Sequence, residues 1–87
     1  MNDAIVEARD RRRTMRRNVN LLAHIVVDES NFVDCLVRNI SDTGAMVMVR
    51  KSDLLPKEFL LIIPSEEFTR RVRIKWRRTK SIGVAFE

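Results

Sequence analysis

Six apolar segments, each five to ten residues long and each ended by a polar or proline-bearing turn, leave this chain little choice but a sheet. They run over residues 18–27, 32–40, 45–49, 59–63, 68–77 and 82–86, and no long stretch carries the i, i+3, i+4 spacing of an amphipathic helix. Asp28-Glu29-Ser30-Asn31 and Ser41-Asp42-Thr43-Gly44 are the clearest turns, Pro64 stops the fourth segment, and Ser52-Asp53 before Pro56 could cap one short helical turn. Regularly spaced short strands predict a small antiparallel barrel or sandwich. At 87 residues the chain is one small domain. The closed six-stranded barrel is the better expectation, because closure removes the exposed edges that a flat sheet would leave.

Composition excludes several classes. Apolar runs such as Leu60–Ile63 are far short of the roughly 20 residues a helix needs to cross a bilayer. Asp3 and Glu7 stand where a signal peptide would be positive and then apolar, so the expected compartment is the cytoplasm. One cysteine and one histidine offer neither an intramolecular disulfide nor zinc-site spacing. Cys35 falls on an apolar strand face with Val33 and Val37, and His24 alternates with Ala23 and Ile25, which suits structural roles. Only Gly44 and Gly83 are glycines, so there is no phosphate loop and no dinucleotide fingerprint. The chain is expected to be non-catalytic, without cofactor or metal.

The charge is unevenly placed. Arg9–Arg17 holds six Arg and one Asp, residues 70–80 hold seven cations, and residues 18–69 are net acidic. Every cation of the first cluster is Arg, whose planar fork grips phosphate and guanine edges bidentately. The Arg9–Arg17 cluster has almost no apolar content, so residues 1–17 read as an arm that is mobile when free and orders on binding, ahead of a barrel from residue 18. In the second cluster Val72, Ile74 and Trp76 alternate with Arg71, Arg73, Lys75 and Arg77, which predicts a strand with a cationic outer face and Trp76 in the core. Met46 and Met48, flanking Val47, are likewise expected to fill the core.

The turn Asn39-Ile40-Ser41-Asp42-Thr43-Gly44 gains weight beside the arginine arm. Asn39 offers amide donors and an acceptor, Ser41 can hold the turn, and Gly44 allows either a positive φ or close approach of a ligand. Together they resemble the PilZ family of cyclic di-GMP receptors, small six-stranded barrels marked by RxxxR followed further on by [D/N]xSxxG. The second half is Asn39-Ile-Ser41-Asp-Thr-Gly44; the first fits Arg12-Arg-Thr-Met-Arg16 or Arg13-Thr-Met-Arg-Arg17, with Arg11 alongside. The first register is preferred because it sets Val19-Asn20-Leu21 where the family begins its first strand. Trp76 and Ile82-Gly-Val-Ala-Phe86 look like the family's last two strands, and the likeness spans residues 9–87. Members often carry a further helix after the last strand; this sequence ends at Glu87.

The resemblance implies a non-catalytic receptor in which Arg12 and Arg16 (or Arg13 and Arg17) fork onto phosphate and guanine while Asn39, Ser41 and Gly44 shape the site. It also implies a downstream partner protein, for which the face of Arg71, Arg73, Lys75 and Arg77 is one candidate surface. Two other readings stand beside it: a basic barrel that binds nucleic acid through those four residues, and a PilZ-type adaptor that works without ligand. The nucleic-acid reading is the weaker, since the chain has no Tyr and Trp76 is expected inside.

Overall fold

A computed structural model describes residues 16–87. Six strands, β1 (Arg17–Val26), β2 (Phe32–Ile40), β3 (Gly44–Met48), β4 (Glu58–Ile63), β5 (Phe68–Arg78) and β6 (Ser81–Phe86), close into a barrel of order β1-β2-β3-β6-β5-β4. Every pairing is antiparallel. Two 3-10 turns, Ser52–Leu54 and Pro64–Glu66, flank β4, the first where the Ser-Asp pair predicts a helical turn. Among the described residues no helix is long and apolar enough to cross a membrane. Residues 1–15, with Arg11, Arg12, Arg13 and most of the expected arm, lie outside those described, and β1 begins one residue earlier than expected, at Arg17.

The interior is built from one face of each strand. Ile25, Val37, Val47, Leu61, Val72 and Ile82 are fully buried, a set dominated by β-branched side chains that suit a pleated wall. Burying each such side chain contributes about 1.5–3 kcal/mol. In a chain this short those contributions carry most of the fold.

Three bulges interrupt the alternation and decide which residues face outward. In β1, Val19 and Asn20 together oppose Arg38. In β2, Arg38 is the extra residue against β3, so burial passes from Val37 to Ile40 and leaves Asn39 on the outer side. In β5, Lys75 is the extra residue against β6. Val72 and Ile74 therefore point toward the core, but Trp76 pairs with Gly83 on the outer face and is 41% exposed. The expectation of a core tryptophan is corrected by that one inserted residue.

Met46 and Met48 are also corrected. Cross-strand partners share a face, and Ala45 pairs with Ile40 and Val84, both buried. The core thus takes Ala45, Val47 and Val49, and the two methionines sit half-buried outside.

Cys35 is buried on the inner face of β2, where desolvation first and the Asp34 charge second push its thiol up to about 12 from 9.0. The unfolded chain releases this proton first. Stability present below pH 9.0 is therefore expected to fall as pH rises toward about 12, measurable as a declining urea midpoint. A thiol reagent should label the native protein only as fast as it unfolds; rapid native labelling would show the interior to be open. His24 stands outside, its Nδ1 2.9 Å from Asp34 Oδ1 and its ring edge-on to Phe32.

Candidate functional site

Register places a row of outward residues across four adjacent strands. Asn39 of β2 pairs with Met46 of β3, Met46 with Gly83 of β6, and Gly83 with Trp76 of β5. Two of the three bulges act here, since the one at Arg38 turns Asn39 outward and the one at Lys75 turns Trp76 outward. The indole lies across the bare backbone of Gly83, where a Cβ would come within 2.2 Å of its ring nitrogen.

Arg16 meets this row from the N-terminal side. Its guanidinium donates a 2.9 Å hydrogen bond to Asn39 Oδ1. It also lines a cleft of about 210 Å³ with Gly44, Lys75, Trp76, Gly83 and Ala85. Both glycines of the chain and one alanine thus form the floor, which keeps the outer wall of the barrel low between an arginine, a lysine and an aromatic plate.

Gly44 owes its place to close packing and not to an unusual dihedral, since no glycine has a positive φ. A Cβ on Gly44 would stand 2.2 Å from the carbonyl oxygen of Val84. The group that approaches Gly44 closely is the backbone of the neighbouring strand.

Ser41 works within the turn. Its N–H donates to the Gly44 carbonyl at 2.8 Å, while Thr43 N–H lies 3.3 Å from its Oγ. Asn39 and Gly44 are held on either side of this loop. Arg17 leaves in the other direction, 3.9 Å from Glu66, and lines a separate cleft of about 370 Å³ with Ser41, Phe68 and Arg70. The Asn39–Gly44 turn therefore separates two clefts, one headed by Arg16 and the other by Arg17. Arg12 and Arg13 lie outside the described residues.

The cationic face of β5 is divided. Arg71 and Arg73 both reach Glu58 and Glu87, the closest contact being 2.7 Å from Arg73 to Glu58. Glu58 first, and then Glu87, raise the Arg73 pKa above its ordinary value. Lys75 and Arg77 instead flank Trp76, beside a cleft of about 450 Å³, and the Arg78 guanidinium lies 5.4 Å from the indole centroid. Sequence reading missed Trp76 as a surface group because a bulge leaves no compositional mark. No group of three potential metal ligands occurs among the described residues.

A protein-family model, that of the PilZ domain, matches residues 10–87. The chain belongs to the PilZ domain family, whose members are cyclic di-GMP receptors and adaptors. No curated protein matches the chain.

Proposed function

We propose that this chain is a cyclic di-GMP receptor that holds the nucleotide over the Asn39–Met46–Gly83–Trp76 row. The observation that carries this reading is the meeting of Arg16, Gly44, Trp76 and Gly83 at one cleft, with Asn39 hydrogen-bonded to the Arg16 guanidinium beside it, since these residues come from distant parts of the chain. The ligand combines two phosphates with two guanines, and therefore calls for cations, edge donors and a stacking surface together. Arg16 supplies a fork with donors left after its bond to Asn39, Lys75 a second cation, and Trp76 a flat apolar face.

The contact between Arg16 and Asn39 favours the register in which Arg12 and Arg16 form the RxxxR pair. Asn39 orients the Arg16 fork before ligand arrives and addresses a guanine edge once that bond is exchanged. Ser41 acts through the turn it fastens. Arg12, one RxxxR spacing upstream, is the second arginine of the pair, and a partner protein reads the nucleotide-bound form. The chain works as a non-catalytic receptor, with the ligand as the signal.

Trp76 is the only tryptophan, so its emission reports on the cleft. Titration with cyclic di-GMP should shift and quench it, and Trp76→Ala should weaken binding measured by calorimetry about tenfold, from a stacking contribution of about 1–3 kcal/mol. Affinity should also fall as salt rises, because Arg16 and Lys75 are exposed. Heat of binding without any change in emission would place the ligand elsewhere.

The exposure of Trp76 beside Lys75, Arg77 and Arg78 also removes one objection to single-stranded nucleic acid as ligand. A parallel titration with a short oligonucleotide separates the two. The receptor reading requires tight binding of the cyclic dinucleotide and weak, strongly salt-dependent binding of the oligonucleotide.

A further inference from the structure

The end of the barrel opposite the Asn39–Gly44 turn carries a second surface. Here β1 and β2 join through Asp28–Asn31, and β3 runs out into the Ser52–Leu54 turn. Between them lies a cleft of about 260 Å³ whose apolar wall is Val27, Val33, Val49, Leu54 and Leu55. Leu54 is 71% exposed, which for a large aliphatic side chain beside an apolar cleft marks a surface that another molecule covers.

Both sides of this cleft are built rigidly. The Asp28 carboxylate accepts hydrogen bonds from the N–H groups of Ser30 and Asn31, at 2.8 and 3.0 Å, and from the Asn31 side chain. On the other side Val49 N–H donates to the Lys80 carbonyl at 3.0 Å and Ser52 N–H to the Thr79 carbonyl at 3.1 Å.

The charges on the two sides have opposite sign. Asp28 and Glu29 follow Val27 at the acidic side, whereas Arg50 and Lys51 line the cleft at the other. Asp53 adjoins Leu54 on the basic side and leaves it net positive. An anionic membrane or an acidic peptide seated on Leu54 would meet Asp28 and Glu29, and a basic partner would meet Arg50 and Lys51. A second copy, rotated by two-fold symmetry about an axis through the apolar centre, sets each acidic side against a basic one.

The geometry points to a symmetric homodimer formed through this end, with Leu54 of each protomer covering the partner's apolar cleft and Glu29 facing the partner's Arg50 and Lys51. Because the interface lies at the far end from Arg16, Asn39 and Gly44, both nucleotide clefts stay open at the two outer ends of the dimer. The assembly does not depend on the ligand. Its success or failure is therefore independent of the receptor reading.

Sedimentation velocity over a dilution series of the full chain, without nucleotide, tests this. The wild type should dimerise reversibly, and Leu54→Asp, Glu29→Lys and the double variant Arg50→Glu/Lys51→Glu should each weaken the dimer by more than about tenfold, since like charges brought together cost several kcal/mol. All these positions are exposed, so circular dichroism and the thermal midpoint should stay near wild type. Mixing Glu29→Lys with Arg50→Glu/Lys51→Glu should restore a heterodimer, because both contacts then pair opposite charges again. A wild type that stays monomeric at every concentration, including one that instead gathers on anionic vesicles, overturns the proposal. So does a dimer that survives all three variants, or a mixture that stays monomeric.

Discussion

Arg16→Ala is expected to weaken cyclic di-GMP binding by about 100-fold or more, the largest single effect among the site residues. The guanidinium carries five N–H donors, of which the free protein uses one toward Asn39. Two charge-assisted contacts to phosphate and guanine, at about 1.5–3 kcal/mol each, are lost on truncation. At about 1.4 kcal/mol per factor of ten, even the lower figure gives roughly two orders of magnitude. Arg16→Lys keeps the charge and loses the fork, so it should recover only part of the affinity. Arg17→Ala serves as the internal control, because Arg17 points to Glu66 in the neighbouring cleft and should change affinity by less than about threefold. Calorimetry on the four variants Arg12→Ala, Arg13→Ala, Arg16→Ala and Arg17→Ala reads the register directly. Large losses confined to Arg13 and Arg17 would move the site to the other cleft.

The first, second and fourth strands were legible because each ends at a residue that cannot continue it or that folds back on itself. Pro64 stops β4, Asp28 gathers the amides of its own turn, and Ser41 bridges to Gly44. The observed boundaries fall within a residue or so of those read from the apolar segments. Which face of a strand turns inward was less legible, for two reasons. Period-two patterning assumes an unbroken ladder, whereas Arg38 and Lys75 are each an inserted residue that reverses the phase beyond it. Trp76 was misassigned for that reason. Met46 and Met48 were misassigned because β3 is apolar on both faces, and only its pairing with Ile40 and Val84 selects Ala45 and Val47 for the interior. The motif residues Asn39, Ser41 and Gly44 were visible as a turn, but that Met46 and Gly83 stand between Asn39 and Trp76 in one cross-strand row depends on register across three strand pairs, which no local pattern encodes.

The two glycines should separate stability from binding. Gly44→Ala places a Cβ 2.2 Å from a backbone oxygen in the adjoining strand, and neither β3 nor β6 can yield without disturbing the buried pair Ala45–Val84 beside them. Overpacking of this kind costs about 1–3 kcal/mol. At roughly 4–8 °C per kcal/mol for a domain of this size, the melting midpoint should drop by about 5–20 °C. Gly83→Ala places its Cβ at the same 2.2 Å, but against the indole of Trp76, a side chain that is 41% exposed and free to swing outward. Its melting midpoint should stay within a few degrees of wild type while tryptophan emission shifts toward that of a solvated indole and nucleotide affinity falls about as far as in Trp76→Ala. The double variant Gly83→Ala/Trp76→Ala should then bind no more weakly than either single one, because both changes remove the same stacking plate. If Gly83→Ala melts as low as Gly44→Ala, the indole is a packed part of the barrel wall, and the cleft it bounds in the free protein is too rigid to serve as a stacking site.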